Sequence, residues 1–225
     1  MEKNIKQEIY RIKSDKDCSI PVHNYSTLIG TLRPITYYDI GNDEIIENLM
    51  HWRNQNISAY LSSEKATFEG TRRWLSKFVL DNESKILFLL YTDKNVPIGH
   101  IGLADGLDTN SYVEMDNIVR GIKSGEKGMI TLALYDLISW VFSSFDYSIV
   151  YLRVFSDNIR AINLYQRLKF NEKKKYPLKK TIINNVVSYS NITGNKVSGK
   201  YFSYMELEKN NHFENYINIK KKGKL

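Results

Sequence analysis

The chain divides by the period at which its apolar residues return. Residues 1 to about 28 are polar, with short apolar clusters and no clear period, and residues 1–30 are expected to form an N-terminal extension carrying a helix and then a loop. TLRPITYYDI (31–40) is strand-like: Tyr37 and Tyr38 favour extended backbone, and Pro34 fits near a sheet edge. From Asp43 onward, Ile45, Leu49 and Trp52 return at spacings of four and three, which predicts a helix ending near HWRNQN. Thr67 caps a second helix whose Phe68, Trp74, Leu75, Phe78 and Val79 share one side. The pattern then becomes that of strands: KILFLLY (85–91), VPIGHIGL (96–103) and SYVEMDNIV (111–119), separated by TDKN and DGLDTN, make an antiparallel meander. Gly125 and Gly128 precede a long helix in which Ile130, Ala133, Leu134, Leu137, Ile138, Val141 and Phe145 keep the three/four spacing. SIVYLRVF (148–155) is a strand, SDNIRAINLYQRLKF (156–170) a short helix with Ser156 as its N-cap, and KYFSYMEL (200–207) a last strand reached through a polar, Asn-rich insertion at 173–199. No internal repeat is visible.

Composition narrows the class. With 225 residues, 42% hydrophobic and 25% charged, the chain suits one globular domain, expected over 31–208, with appended segments at both ends. It has no run of about 18 apolar residues, and MEKNIKQEIYRIKSDKD lacks the apolar stretch of a signal peptide, so a soluble cytoplasmic protein with no membrane contact is expected. Cys18 is the only cysteine, which excludes an internal disulfide and a cysteine-built metal site; no metal is expected. The net charge of +7, from 32 Lys and Arg against 25 Asp and Glu, favours an anionic partner such as a phosphate-rich small ligand. Part of that excess lies in KKKYPLKK and in the terminal KKKGKL, and residues 209–225 are expected to be a solvated basic tail. No concentrated Lys/Arg and aromatic face is present, which argues against nucleic acid.

The order strand, two helices, three-stranded meander, glycine turn, long helix, strand, helix, strand resembles the GNAT superfamily of acyl-CoA-dependent N-acyltransferases. The likeness is greatest to the branch holding ribosomal-protein N-terminal acetyltransferases and acetyltransferases of nucleotide-linked amino sugars. It is carried by LRP (32–34), WRN (52–54), IGHIGL (98–103), KGMITLALYDLISWVF (127–142) and above all LRVFSDNIRAINLYQRLKF (152–170), and covers about residues 31 to 172. It implies an α/β fold, a mixed central sheet of about six to seven strands flanked by helices on both faces, with acetyl-CoA as cosubstrate. The backbone amides that open a helix seat a pyrophosphate. The resemblance places that seat at Gly125, Lys127, Gly128, Met129 and Ile130. Gly128 matches the family's central glycine, whereas Gly125 stands for its basic or amide residue and Ile130 for its small one; Arg120, Lys123 or Lys127 would supply the cation. Read alone, the two glycines only join a strand to a helix.

Spacing alone makes Tyr165 a packing residue, since Ala161, Leu164, Tyr165 and Leu168 share a helix face. The resemblance instead makes Tyr165 the group that protonates the leaving thiolate, with Asn158 beside the pantetheine or phosphate arm and Ala161 completing the pattern. Lys169 departs from the family's glycine, implying a different or strained helix cap. The reaction needs a neutral amine and hence a base. Glu114 and Asp116 share one strand face and are both candidates; a solvated face is the alternative for each. His100 is a weaker candidate, more readily a rim or core histidine. Family geometry puts the oxyanion on a backbone N–H near Ile118 or Val119. On the acceptor side, Trp52, Arg53, Asn54 and His100 are expected to line the substrate site, with Tyr60 and Trp74 as further aromatic platforms. NNVVSYSNITGN, inside the insertion, is rich in groups that bind sugar hydroxyls. The expected acceptor is the primary amine of a nucleotide-linked deoxyamino sugar, as in surface polysaccharide synthesis. The alternatives are a protein N-terminus, as in ribosomal-protein acetylation, and a non-catalytic acyl-CoA-binding or RNA-binding module. Dimerisation is left open.

Overall fold

A computed structural model describes residues 5–104, 111–191 and 199–222. The predicted turn at 105–110 and residues 192–198 of the insertion lie outside the described residues. Nine strands form one sheet: β1 (Ile20–Asn24), β2 (Thr27–Pro34), β3 (Lys85–Thr92), β4 (Pro97–Ala104), β5 (Tyr112–Arg120), β6 (Ile149–Phe155), β7 (Asn171–Ile183), β8 (Val186–Asn191) and β9 (Tyr201–Glu208). Their order across the sheet is β1-β2-β3-β4-β5-β6-β9-β7-β8, and only β5 and β6 are parallel neighbours. The helices are α1 (Ile5–Ser14), α2 (Asp43–Gln55), α3 (Phe68–Trp74), α4 (Met129–Ser144), α5 (Ile159–Arg167) and α6 (Lys209–Lys222). No helix among the described residues is long and apolar enough to cross a membrane.

The alternation of a central strand builds two cores. Ile86, Phe88 and Leu90 of β3 join α1, α4 and α5 on one face, whereas Leu87 and Leu89 join α2 and the turn after α3 on the other. The sheet has two more strands than the upper expectation because two hairpins extend its edges. β1–β2 turns through Tyr25, at φ 56°, and β7–β8 turns through Asn184 and Asn185, at φ 49° and 65°, the two successive left-handed residues that a tight hairpin turn demands.

Five further expectations change. The strand predicted over 31–40 ends at Pro34, and Tyr37–Gly41 forms a 3-10 turn capped by Thr36 and Asp39. The segment read as an extension belongs to the core: Ile9 and Ile12 are buried, and β1 pairs with β2. The segment read as a solvated tail continues β9 as α6, with His212 buried and Phe213 packed on the core cluster. The second helix passes into a π-turn over Leu75–Leu80, marked by the Asp81 N–H donating to the Ser76 carbonyl, and this extra residue per turn leaves Phe78 exposed while Leu75, Val79 and Leu80 are buried. Asn158 caps α5, its Oδ1 accepting from the Ala161 N–H at 3.2 Å, while the expected cap, Ser156, bonds Ser203 instead.

Candidate active site

β5 and β6 pair over three residues only, Tyr112–Glu114 against Ile149–Tyr151, and beyond these the two strands part. A cavity of about 700 Å³ opens at the fork, lined by Met115 to Val119 on one side and Leu152 to Phe155 on the other. That volume suits a small-molecule site. A bulge in β5 sets the geometry: between the pairs Gly102–Asp116 and His100–Val119, two residues of β5, Asn117 and Ile118, stand opposite Ile101 alone. Asn117 has a left-handed φ of 48°. The bulge reverses the facing of the strand, so Met115 joins the α4 core whereas Val119, which has the same parity, joins the α2 core.

The two candidate carboxylates meet different fates. Glu114 is buried, and its two oxygens accept from Arg153 Nε and Nη2 at 2.7 and 2.8 Å, a side-on pair across the fork that does not line the cavity through Glu114. Asp116 does line the cavity; Lys85 Nζ lies 3.5 Å away and Asn117 Nδ2 donates to Oδ2 at 2.8 Å. Burial raises the Asp116 carboxyl to about 6, against the pull of Lys85. His100 also lines the cavity, is buried, stacks on Trp52, and donates from Nδ1 to the Asn117 carbonyl at 2.7 Å. Burial lowers its pKa to about 4, so the ring is neutral near pH 7.

α5 brings Asn158, Ala161 and Tyr165 to the same cavity. Tyr165 is 7% exposed, and burial raises its pKa well above 10, which keeps the hydroxyl protonated. Packing and catalysis are not alternatives for it: the ring fills the core beside Phe170 while the residue forms part of the cavity wall.

The glycine turn lies past the end of β5. Gly128 takes the N-cap of α4 at φ 83°, and no atom lies within 4 Å of where its Cβ would be, so the helix start is open to a ligand. Met129 and Ile130 are buried, whereas Lys123 and Lys127 are exposed. Arg120 folds over the turn, donating to the carbonyls of Ile122 and Ser124 at 3.3 and 3.5 Å. Gly125, at φ 76°, sits over the Met129 sulfur.

The WRN residues build the opposite wall. Trp52 is buried, Asn54 exchanges two hydrogen bonds with the Ala66 backbone, and Arg53 donates to the carbonyls of Glu64 and Ser62 from above the Tyr60 ring. Of the three only Arg53 reaches the cavity. From its other side the 57–66 segment is tied to β8, where Ser63 and Leu61 share backbone hydrogen bonds with Val187 and Tyr189. Sequence reasoning missed Asn117, Arg153 and this tie. A charged residue between Leu152 and Val154, in an otherwise apolar strand, was the available signal for Arg153.

The sequence model of the Acetyltransferase (GNAT) domain matches residues 31–171. The chain belongs to the GNAT acetyltransferase family. Acetyltransferase PseH of Campylobacter jejuni subsp. jejuni serotype O:23/36 (strain 81-176) is 28% identical to this GNAT chain over 131 residues, covering 57% of the chain and 78% of PseH. Among solved folds, a probable GNAT acetyltransferase of Chromobacterium violaceum ATCC 12472 superposes with a TM-score of 0.65 at 11% identity, covering 88% of this chain and 91% of its own. FdhC, described as a nucleotide-linked sugar GNAT, gives 0.60 at 13% identity and coverage of 91% and 96%. Spermidine N-acetyltransferase of Vibrio cholerae, in complex with CoA and spermine, gives 0.61 at 17% identity and coverage of 82% and 98%. The chain is thus an acyl-CoA-dependent N-acetyltransferase by family.

Proposed function

We propose that the protein transfers an acetyl group from acetyl-CoA to the primary amine of a nucleotide-linked deoxyamino sugar, in a ternary complex and as a cytoplasmic step of surface polysaccharide synthesis. One observation carries this reading: a single cavity runs from Tyr165 and the β5–β6 fork, with Asp116 and Arg153, to a wall that presents Arg53 and Lys65 beside Glu64. With Arg153 paired to Glu114, the remaining charges balance, Arg53 and Lys65 against Glu64 and Asp116, so the wall offers cations for a nucleotide diphosphate and lacks the acidic surface that a basic peptide or polyamine would favour. The hydroxyls of Ser62, Thr67 and Thr71 on the same wall suit a sugar. The description of FdhC as a nucleotide-linked sugar GNAT points the same way, and PseH, an acetyltransferase, supports the transfer itself.

The residues fit an acyl-CoA. The fork exposes one edge of β5 for a pantetheine arm along Ile118 and Val119, and the open start of α4 at Gly128, with Arg120, Lys123 and Lys127 near it in the chain, suits a pyrophosphate. Acetyl-CoA supplies a thioester whose C–S bond breaks as the amine forms the new C–N bond. Asp116 accepts the proton that the ammonium must lose, and its raised pKa keeps it both ionised at pH 7 and basic enough to act. The Ile118 N–H, in the bulge, is the donor for the carbonyl oxygen as it gains charge. Tyr165 delivers its hydroxyl proton to the departing sulfur; a thiolate in the same buried cavity has its own pKa raised, which narrows the gap to be crossed.

The test is release of CoA thiol from acetyl-CoA with UDP- and dTDP-linked 3-amino and 4-amino deoxysugars, set against basic N-terminal peptides and polyamines. Release with a nucleotide amino sugar alone is expected. Release with peptides alone replaces this reading with protein N-terminal acetylation, and a melting shift on acetyl-CoA with no turnover of any amine leaves the acceptor elsewhere.

A further inference from the structure

Asn117 is held in the fork from both ends. Its carbonyl accepts from His100 Nδ1 at 2.7 Å, and its side-chain Nδ2 donates to Asp116 Oδ2 at 2.8 Å. A carbonyl can only accept, so His100 carries its proton on Nδ1. The imidazole is itself fixed. It is 2% exposed and lies over Trp52, with ring centroids 6.1 Å apart and planes 29° from parallel. Trp52 in turn occupies the space left by Gly121, where a Cβ would stand 2.1 Å from the indole. The ring therefore cannot turn unless the α2 core moves.

A trans peptide is planar, and its C=O and N–H point in opposite directions. Tying the Asn117 carbonyl to His100 therefore sets the direction of the Ile118 N–H, which points away from the imidazole. Ile118 lines the cavity, beyond the point where β6 stops pairing with β5. The left-handed backbone of Asn117 is the strained element that these contacts hold in place.

We propose that His100 and Asn117 are a positioning pair: His100 locks the Asn117–Ile118 peptide, and the Asn117 amide orients the Asp116 carboxylate, so one left-handed residue sets both the oxyanion donor and the base. This deepens the acyl-transfer reading and rests on it. Neither residue exchanges a proton with the substrate, and His100 serves as a donor rather than as a base or a substrate contact. The charged and titratable groups that act on Asp116 are Lys85 from β3, Glu114 with its partner Arg153, and Tyr60 from the 57–66 wall; Asn117 is the neutral donor among them.

The experiment compares His100→Leu, His100→Asn and Asn117→Gly with the parent protein, using the acceptor that releases CoA and counting only folded sites. His100→Leu removes the donor, and kcat is expected to fall on the order of 10²-fold while KM for acetyl-CoA stays within about twofold. His100→Asn can place its amide nitrogen where Nδ1 stood and is expected to recover most of the loss. Asn117→Gly keeps a backbone that favours positive φ but deletes the amide, and the low-pH limb of kcat/KM is expected to move to higher pH because the carboxylate has lost a donor. A purely structural role would lower the melting temperature without moving that limb. A kcat for His100→Leu within about twofold of the parent, or an unmoved limb in Asn117→Gly, overturns the proposal. If His100→Leu does not fold, 15N NMR of histidine in the parent decides: Nδ1–H on His100 is expected, and Nε2–H overturns the pair. Silence of the parent with every amine would overturn the acyl-transfer reading instead, and the tautomer would still report on the lock.

Discussion

In the proposed mechanism Tyr165 and Asp116 divide the proton traffic, and each makes a distinct prediction at the scale of one side chain. Tyr165→Phe keeps the ring that packs on Phe170 and removes only the acidic proton, so kcat is expected to drop by about 10²-fold or more with KM for acetyl-CoA nearly unchanged. Steady-state kinetics with saturating acetyl-CoA check it; an unchanged kcat would give the proton donation to water. For Asp116 the sign must be worked through. The carboxyl is raised to about 6, so the base is spent by protonation below that value, and kcat/KM is expected to rise with pH through about 6 and then level. The same shift acts oppositely on stability. The folded chain holds this proton more tightly than the unfolded one, so the contribution is full below about pH 4 and is lost as pH rises through 6. Asp116→Asn should thus abolish the low-pH limb and most of the rate, while gaining on the order of 2 kcal/mol of stability at pH 7, measured by urea denaturation. Loss of both rate and stability would mean that Asp116 is a structural ion-pair partner of Lys85. The sequence placed Glu114 and Asp116 on one strand face and could not separate them. What separates them is Arg153, 39 residues downstream, which neutralises Glu114 and leaves Asp116 facing the cavity.

The elements show why some of the fold was legible and some was not. β3 and α4 announce themselves because they are buried, and burial demands a periodic apolar pattern. β7 does not: only Leu178 of its 13 residues is buried, so KKKYPLKK carries no alternation to read, although Asn184–Asn185 was a turn signal waiting to be used. At α5 the departure from glycine at Lys169 is visible in sequence, and the structure shows its consequence. The Phe170 N–H donates to the Tyr165 carbonyl and the Lys169 N–H to the Gln166 carbonyl, which closes the helix with Lys169 at φ 72°. A lysine in that conformation costs about 1–2 kcal/mol, while glycine would give back part of it through a more flexible unfolded chain. Lys169→Gly is therefore expected to stabilise the protein by about 0.5–1 kcal/mol without changing kcat, since it leaves both cap hydrogen bonds and Tyr165 in place. A thermal melt reads the gain, and a loss would mean that the lysine side chain holds something the backbone geometry does not reveal.

At the scale of the molecule, residues 5–24 tie the start of the chain into the core and the sheet. A helix is legible there, but few apolar positions and many charges hide its packing into the core, and Lys13 is buried, its Nζ donating to the carbonyls of Val79, Leu80 and Asn82. Those carbonyls lie where the π-turn after α3 ends, so an N-terminal lysine satisfies the terminus of a helical segment more than sixty residues away. Lys13→Met would keep the aliphatic bulk but leave these acceptors unpaired, a loss of about 2–3 kcal/mol, or a melting point lower by about 5–10 °C for a chain of this size. The pH dependence identifies the cause. Burial lowers the Lys13 pKa to about 8, from an ordinary 10.5. Between these values the unfolded chain binds a proton that the folded chain has released, so this group adds stability as pH rises through that window and withdraws it as pH falls through 8. The stability gap between the parent and Lys13→Met should consequently widen from pH 7.5 to pH 9.5 in denaturant titrations. A gap that stays flat would show Lys13 charged and solvated in the folded chain, and α1 would then be a surface attachment; a widening gap makes it a structural member of the domain that carries the site.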